Sequence, residues 1–116
     1  MKNIVTIIAI VFSLLVTSCV QKTYKKTIVF TLDASEIKEV KKVGIRGNDK
    51  PLSWDYDKEM KAIKKDSLYQ IALTVETGYK FTEVKFSIND NLEFNDGENR
   101  RVVFSEKDTT YYKVKL

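Results

Sequence analysis

Residues 81–88 read Phe-Thr-Glu-Val-Lys-Phe-Ser-Ile, and no other stretch restricts the fold as tightly. Val84, Phe86 and Ile88 share one parity, while Phe81, Glu83, Lys85 and Ser87 share the other. A β-strand turns successive side chains to opposite faces, so this pattern is a core strand with one polar face. The same alternation recurs along the chain. Ile28, Phe30 and Leu32 alternate within 26–32, Val43 and Ile45 within 40–46, and Tyr69, Ile71, Leu73 and Val75 within 68–75. Residues 102–104 form a further short apolar run. Last comes 109–116, with Tyr112, Val114 and Leu116 opposite Tyr111, Lys113 and Lys115. Turn chemistry separates these runs at Gly47-Asn48-Asp49, Thr77-Gly78 and Asp96-Gly97. Residues 33–39 could form one turn of helix capped by Asp33 or Ser35. The charged segment 55–65 carries Met60 and Ile63 three apart, a spacing open to a short helix, but reads better as a loop with a brief strand. About seven strands with no long helix predict an all-β chain, an immunoglobulin-like antiparallel β-sandwich. One buried and one wet face per strand fits antiparallel sheets better than a parallel α/β core.

The N-terminus has a different grammar. Lys2 precedes an apolar run from Ile4 to Val16. That run is shorter than the roughly 20 residues a spanning helix needs, and it fits the apolar region of a secretory signal peptide. It ends in Leu15-Val16-Thr17-Ser18-Cys19, which resembles the lipobox of bacterial lipoproteins, and the sole cysteine of the chain occupies the position that motif requires. The resemblance implies a signal peptide over 1–18, a lipidated Cys19, a tether over 19–26 and a sandwich domain over 27–116. Val20 follows the cysteine where an aspartate would signal retention, so the resemblance points to the outer membrane. An ordinary signal peptide, or a tail anchored by its own apolar run, is the alternative. Lys22, Lys25 and Lys26 make the tether basic, which suits anionic head groups or simply a solvated linker.

Composition removes several function classes. The 116 residues suffice for one domain, and 43% hydrophobic against 31% charged is an ordinary globular balance. The formal charge of +4 is spread along the chain without a basic block, so no nucleic-acid partner is expected. Histidine is absent, which removes the commonest general base and metal ligand. A single cysteine allows no intrachain disulfide. Asp55, Asp57 and Glu59 are spaced by two and could approach a calcium ion, but the full pattern of a calcium loop is missing. A solvated acidic loop is the simpler reading. With no phosphate loop and no nucleophile motif, neither an enzyme nor a cofactor is expected.

Six stretches carry a second resemblance. They are Val43-Gly44-Ile45-Arg46-Gly47, then Leu52-Ser53-Trp54, Tyr69 at the start of a strand, Glu83-Val84-Lys85-Phe86, and finally Leu92-Glu93 followed by Glu98-Asn99-Arg100. In order and spacing they resemble the starch-binding domain family of carbohydrate-binding modules. The chain departs from that family at Leu92, where a second aromatic platform would stand, and in having Pro51-Leu52-Ser53-Trp54 for a Leu-Gly-x-Trp loop. The resemblance implies a non-catalytic sandwich that binds a glucan. It places Trp54 under a sugar ring, Lys85 and Asn99 on the hydroxyls, and Glu93 beside them. Those residue types suit the task, since lysine donates and asparagine both donates and accepts hydrogen bonds to vicinal hydroxyls. Trp54 could instead be a buried core residue, and Asn99 with Arg100 could serve only to fix a loop. In that case the same sandwich would be an interaction module for an envelope protein partner, or an envelope lipoprotein with no ligand.

Overall fold

A computed structural model describes residues 22–93 and 97–116. Among the described residues nine strands form two sheets. In chain order they are β1 (Tyr24–Asp33), β2 (Val43–Gly47), β3 (Lys58–Glu59), β4 (Lys61–Lys64), β5 (Leu68–Thr77), β6 (Phe81–Ile88), β7 (Asn91–Leu92), β8 (Arg100–Val103) and β9 (Thr109–Lys115). The first sheet runs β4-β5-β1-β9. The second runs β3-β2-β6, with β7 and β8 sharing the far edge of β6. This is the expected all-β sandwich, with the signal peptide and Cys19 lying outside the described residues. The expected seven strands become nine because β3 and β7 are two-residue pieces too short to leave a pattern.

Three features depart from the sequence reading. β1 begins at Tyr24, so Tyr24, Lys25 and Lys26 belong to the sheet and not to the tether. They pair with Thr77, Glu76 and Val75 of β5. In addition, β1 and β9 run parallel, from Thr27 beside Thr109 to Asp33 beside Lys115. A parallel pair needs a long connection, and here the rest of the domain supplies it. No helix forms over 33–39. Asp33 instead accepts the Ser35 N–H at 2.9 Å, and the chain turns back with Glu39 at a positive φ.

The alternation predicts the core well. Ile28, Phe30 and Leu32 from β1, Val43 and Ile45 from β2, Leu73 and Val75 from β5, and Val84 and Phe86 from β6 are buried. Phe30 is the hub between the sheets, meeting Phe86 edge-on at 6.2 Å and Tyr112 of β9 at 6.1 Å. Edge-to-face contact suits aromatic quadrupoles and adds about 1 kcal/mol per pair beyond area burial. Met60, buried between β3 and β4, marks the point where the chain crosses from one sheet to the other.

Candidate binding site

β7 pairs with β6 at Ser87 and Ile88, and β8 pairs with it from Phe81 to Val84. The edge of β6 at Lys85 and Phe86 falls between them. Glu93 fills that gap. Its N–H donates to the Phe86 carbonyl at 3.0 Å, and its carboxylate accepts the Phe86 N–H at 2.7 Å. The same carboxylate receives Arg100 Nε at 2.9 and 3.0 Å and the Arg100 terminal nitrogen at 2.8 Å. Donating to the Glu93 carboxylate pushes the Arg100 guanidinium above its ordinary pKa, against the opposing effect of burial, and a hydrogen bond with Tyr112 acts in the same direction. Both side chains are largely covered, with 12% of Glu93 and 22% of Arg100 exposed. Glu93 is therefore committed to closing the sheet edge.

Asp57 plays a matching part on the outer face of the second sheet. It accepts Arg46 Nε at 2.7 Å and the Ser87 hydroxyl at 2.8 Å. The carboxylate lies directly over Gly44, where an added Cβ would come within 2.9 Å of the Asp57 Cβ and 2.7 Å of Ser87 Oγ. Glycine is required at 44 by close approach. Ser87, on the polar face by sequence, is buried for the same reason. Asp57 is thus not part of a solvated acidic loop, and among the described residues no cluster of acidic side chains could hold a metal ion.

Arg46 also donates to the Trp54 carbonyl at 2.9 Å. At the other end of this loop the Thr82 hydroxyl donates to Asp49 at 2.6 Å. The 48–57 loop is thereby tied to the sheet at Asp49, Trp54 and Asp57. Its tied backbone leaves Trp54 37% exposed and Tyr56 60% exposed, so neither belongs to the core. Both rings line a cleft of about 1070 Å³ between this loop and the end of β5. Asn48, Lys58, Thr74 and Glu76 add hydrogen-bonding groups to its wall.

The four residues singled out for sugar contact are not gathered in one place. Trp54 lines the cleft, whereas Lys85, Glu93 and Asn99 do not. Lys85 lies beside Arg46 on the outer face of the second sheet, in register across β2 and β6. Asn99 donates to Glu83 at 3.2 Å on that same face. Tyr56, Asn48 and Lys58 are the cleft residues that sequence reasoning passed over. The one available signal was Tyr56 two positions after Trp54. Asp96, of the expected Asp96-Gly97 turn, lies outside the described residues. A scan against protein-family models finds no match, and a search of curated proteins finds none either.

Proposed function

We propose that this chain is an envelope lipoprotein, acylated at Cys19, whose sandwich binds a glucan-like carbohydrate without catalysis. The observation that carries the reading is the exposed Trp54 ring on the wall of an open cleft, with Tyr56 beside it. An aromatic face matches the apolar face of a pyranose, and a few convergent polar groups fix its orientation. Asn48, Lys58 and Glu76 supply those groups, and a longer oligosaccharide leaving the cleft past Arg46 would meet Lys85. The outer membrane is the location that Val20 after Cys19 favours.

Trp54 is the only tryptophan, so its fluorescence reads the cleft alone. Titration with maltoheptaose or β-cyclodextrin should give a saturable emission change that Trp54→Ala abolishes with the fold intact. An unresponsive Trp54 would sink the carbohydrate reading. One observation favours a second reading. Beyond Gln70, β5 has a strand neighbour on one side only among the described residues. An open strand edge is a template for an extended peptide. Strand addition by an envelope protein partner would protect from exchange the amides of 71–77 that point away from β1, whereas sugar binding would leave them as they are.

A further inference from the structure

The end of the sandwich where β1 begins carries a second surface that the cleft does not use. Tyr24, Tyr79 and Val103 are exposed there, Tyr79 and Val103 at 61% and 65%. They form one continuous patch. The Tyr24 hydroxyl donates to the Tyr79 carbonyl, the Tyr79 and Phe81 rings lie 6.2 Å apart, and Phe81 pairs in register with Val103. The Arg101 guanidinium covers the Phe81 ring at 4.2 Å. Lysines surround the patch. Lys22, Lys25 and Lys80 are exposed, and Lys26 reaches back to the Ser105 and Lys107 carbonyls at 3.0 and 2.8 Å. The nearby carboxylates are Glu83, which pairs with Arg101 at 3.6 Å, and Glu76, Glu106 and Asp108. Tyrosine with lysine is the pairing that membrane interfaces select, because the ring sits at headgroup level and the ammonium meets anionic lipid.

Chain length decides what this patch faces. Cys19 precedes Tyr24 by five residues, and five extended residues span at most about 18 Å. The opposite end of β1, at Asp33, lies nine residues further along an extended strand, roughly 30 Å away. A lipid on Cys19 therefore keeps the Tyr24 end within about 18 Å of the bilayer, whereas the tether sets no such limit on the Asp33 end. We infer that the patch of Tyr24, Tyr79, Phe81 and Val103, with its surrounding lysines, is a membrane-apposed surface that seats the sandwich on anionic lipid headgroups. This rests on the acylation of Cys19. It also orients the Trp54 cleft, which shares Lys25 with this end, so that it opens beside the membrane plane.

The test uses the full chain, expressed with its leader and purified as the acylated protein. Acylation consumes the sole cysteine, so a cysteine at Val103→Cys, or at Lys65→Cys in the turn at the opposite end, takes a spin label uniquely. The protein is reconstituted in phosphatidylethanolamine–phosphatidylglycerol vesicles, and label collision with oxygen is compared with collision with an aqueous nickel chelate. The label at 103 should favour oxygen and resist nickel, while the label at 65 should be fully open to nickel. Changing Lys22, Lys25 and Lys80 to Gln, or using vesicles of phosphatidylcholine alone, should return the 103 label to the level of the 65 label. Acylated protein with both labels equally open to nickel in anionic vesicles overturns the apposition and leaves the anchor standing. Absence of an acyl mass on Cys19 overturns the anchor, and the apposition falls with it.

Discussion

Glu93 offers the sharpest test, because the structure gives it a task in the fold and the sequence resemblance gives it one in binding. Glu93→Ala removes the acceptor of the Phe86 N–H, a group on a residue with no exposed surface. An unsatisfied buried donor costs about 1–3 kcal/mol. The same substitution strips Arg100 of its counter-charge. Breaking a fully buried pair costs about 3–5 kcal/mol, but Arg100 keeps 22% of its side chain in water, so the lower part of that range applies and the two costs overlap. We expect a total near 3 kcal/mol. Glu93→Gln retains a carbonyl oxygen for the Phe86 N–H and loses only the charge, for about 1–2 kcal/mol. Urea unfolding followed by circular dichroism reads both. With a slope of about 1 kcal/mol per molar for a domain of this size, the midpoint should fall by about 3 M for Ala and 1–2 M for Gln. At urea concentrations where it stays folded, Glu93→Gln should keep its response to maltoheptaose, since Glu93 lies away from the cleft. Two variants within about 0.5 kcal/mol of the parent would refute the sheet-closing role. A stable Glu93→Gln that loses the sugar response would move the binding site to this edge.

Three further outcomes follow from the same contacts. Gly44→Ala should lift Asp57 off the sheet and weaken its bonds to Arg46 and Ser87, destabilising the domain by about 1–3 kcal/mol by overpacking; a midpoint equal to the parent's would contradict the close approach. Thr82→Val should remove the bond to Asp49 for about 1 kcal/mol, and the loosened loop should leave Trp54 more accessible to acrylamide. Hydrogen bonds from Ser35, with Lys115 and Lys113 nearby, hold the Asp33 carboxyl below its ordinary value of 3.8. A lowered pKa means its contribution is present above the unfolded value and is lost as pH falls through the folded one. Carbon-detected NMR should find Asp33 titrating below 3.8 and moving up in Ser35→Ala.

The strands were legible where a single chain segment contains its own evidence. In β6, every second residue from Thr82 to Phe86 is buried, and β9 likewise turns Tyr112 and Val114 toward the core, followed by Leu116 just beyond it, while Tyr111 and Lys113 stay wet. What could not be read is pairing between segments. Nothing in 24–33 announces that its neighbour is the last strand, running parallel. Nothing in 81–88 says that two strands divide its far edge and that Glu93 bridges the gap between them. Ser87 illustrates the cost of this: parity put it on the wet face correctly, but only the fold brings Asp57 across Gly44 to cover it.

The candidate site was less legible for a related reason. A lone tryptophan in a sandwich sequence fits a core position as well as a ligand platform, and composition does not choose. The choice is made by polar residues spread over the chain, each tying one point of the 48–57 loop to the second sheet. Arg46 holds the Trp54 carbonyl, Thr82 holds Asp49, and Ser87 holds Asp57. Three anchors within nine residues hold the backbone against the sheet margin, while the interior is already filled by Phe30, Phe86 and Leu52. The ring then has nowhere to go but outward, over the open end of β5. Relaxing any one anchor should therefore alter Trp54 emission more than it alters global stability, which separates a loop built to present an aromatic ring from one that merely connects two strands.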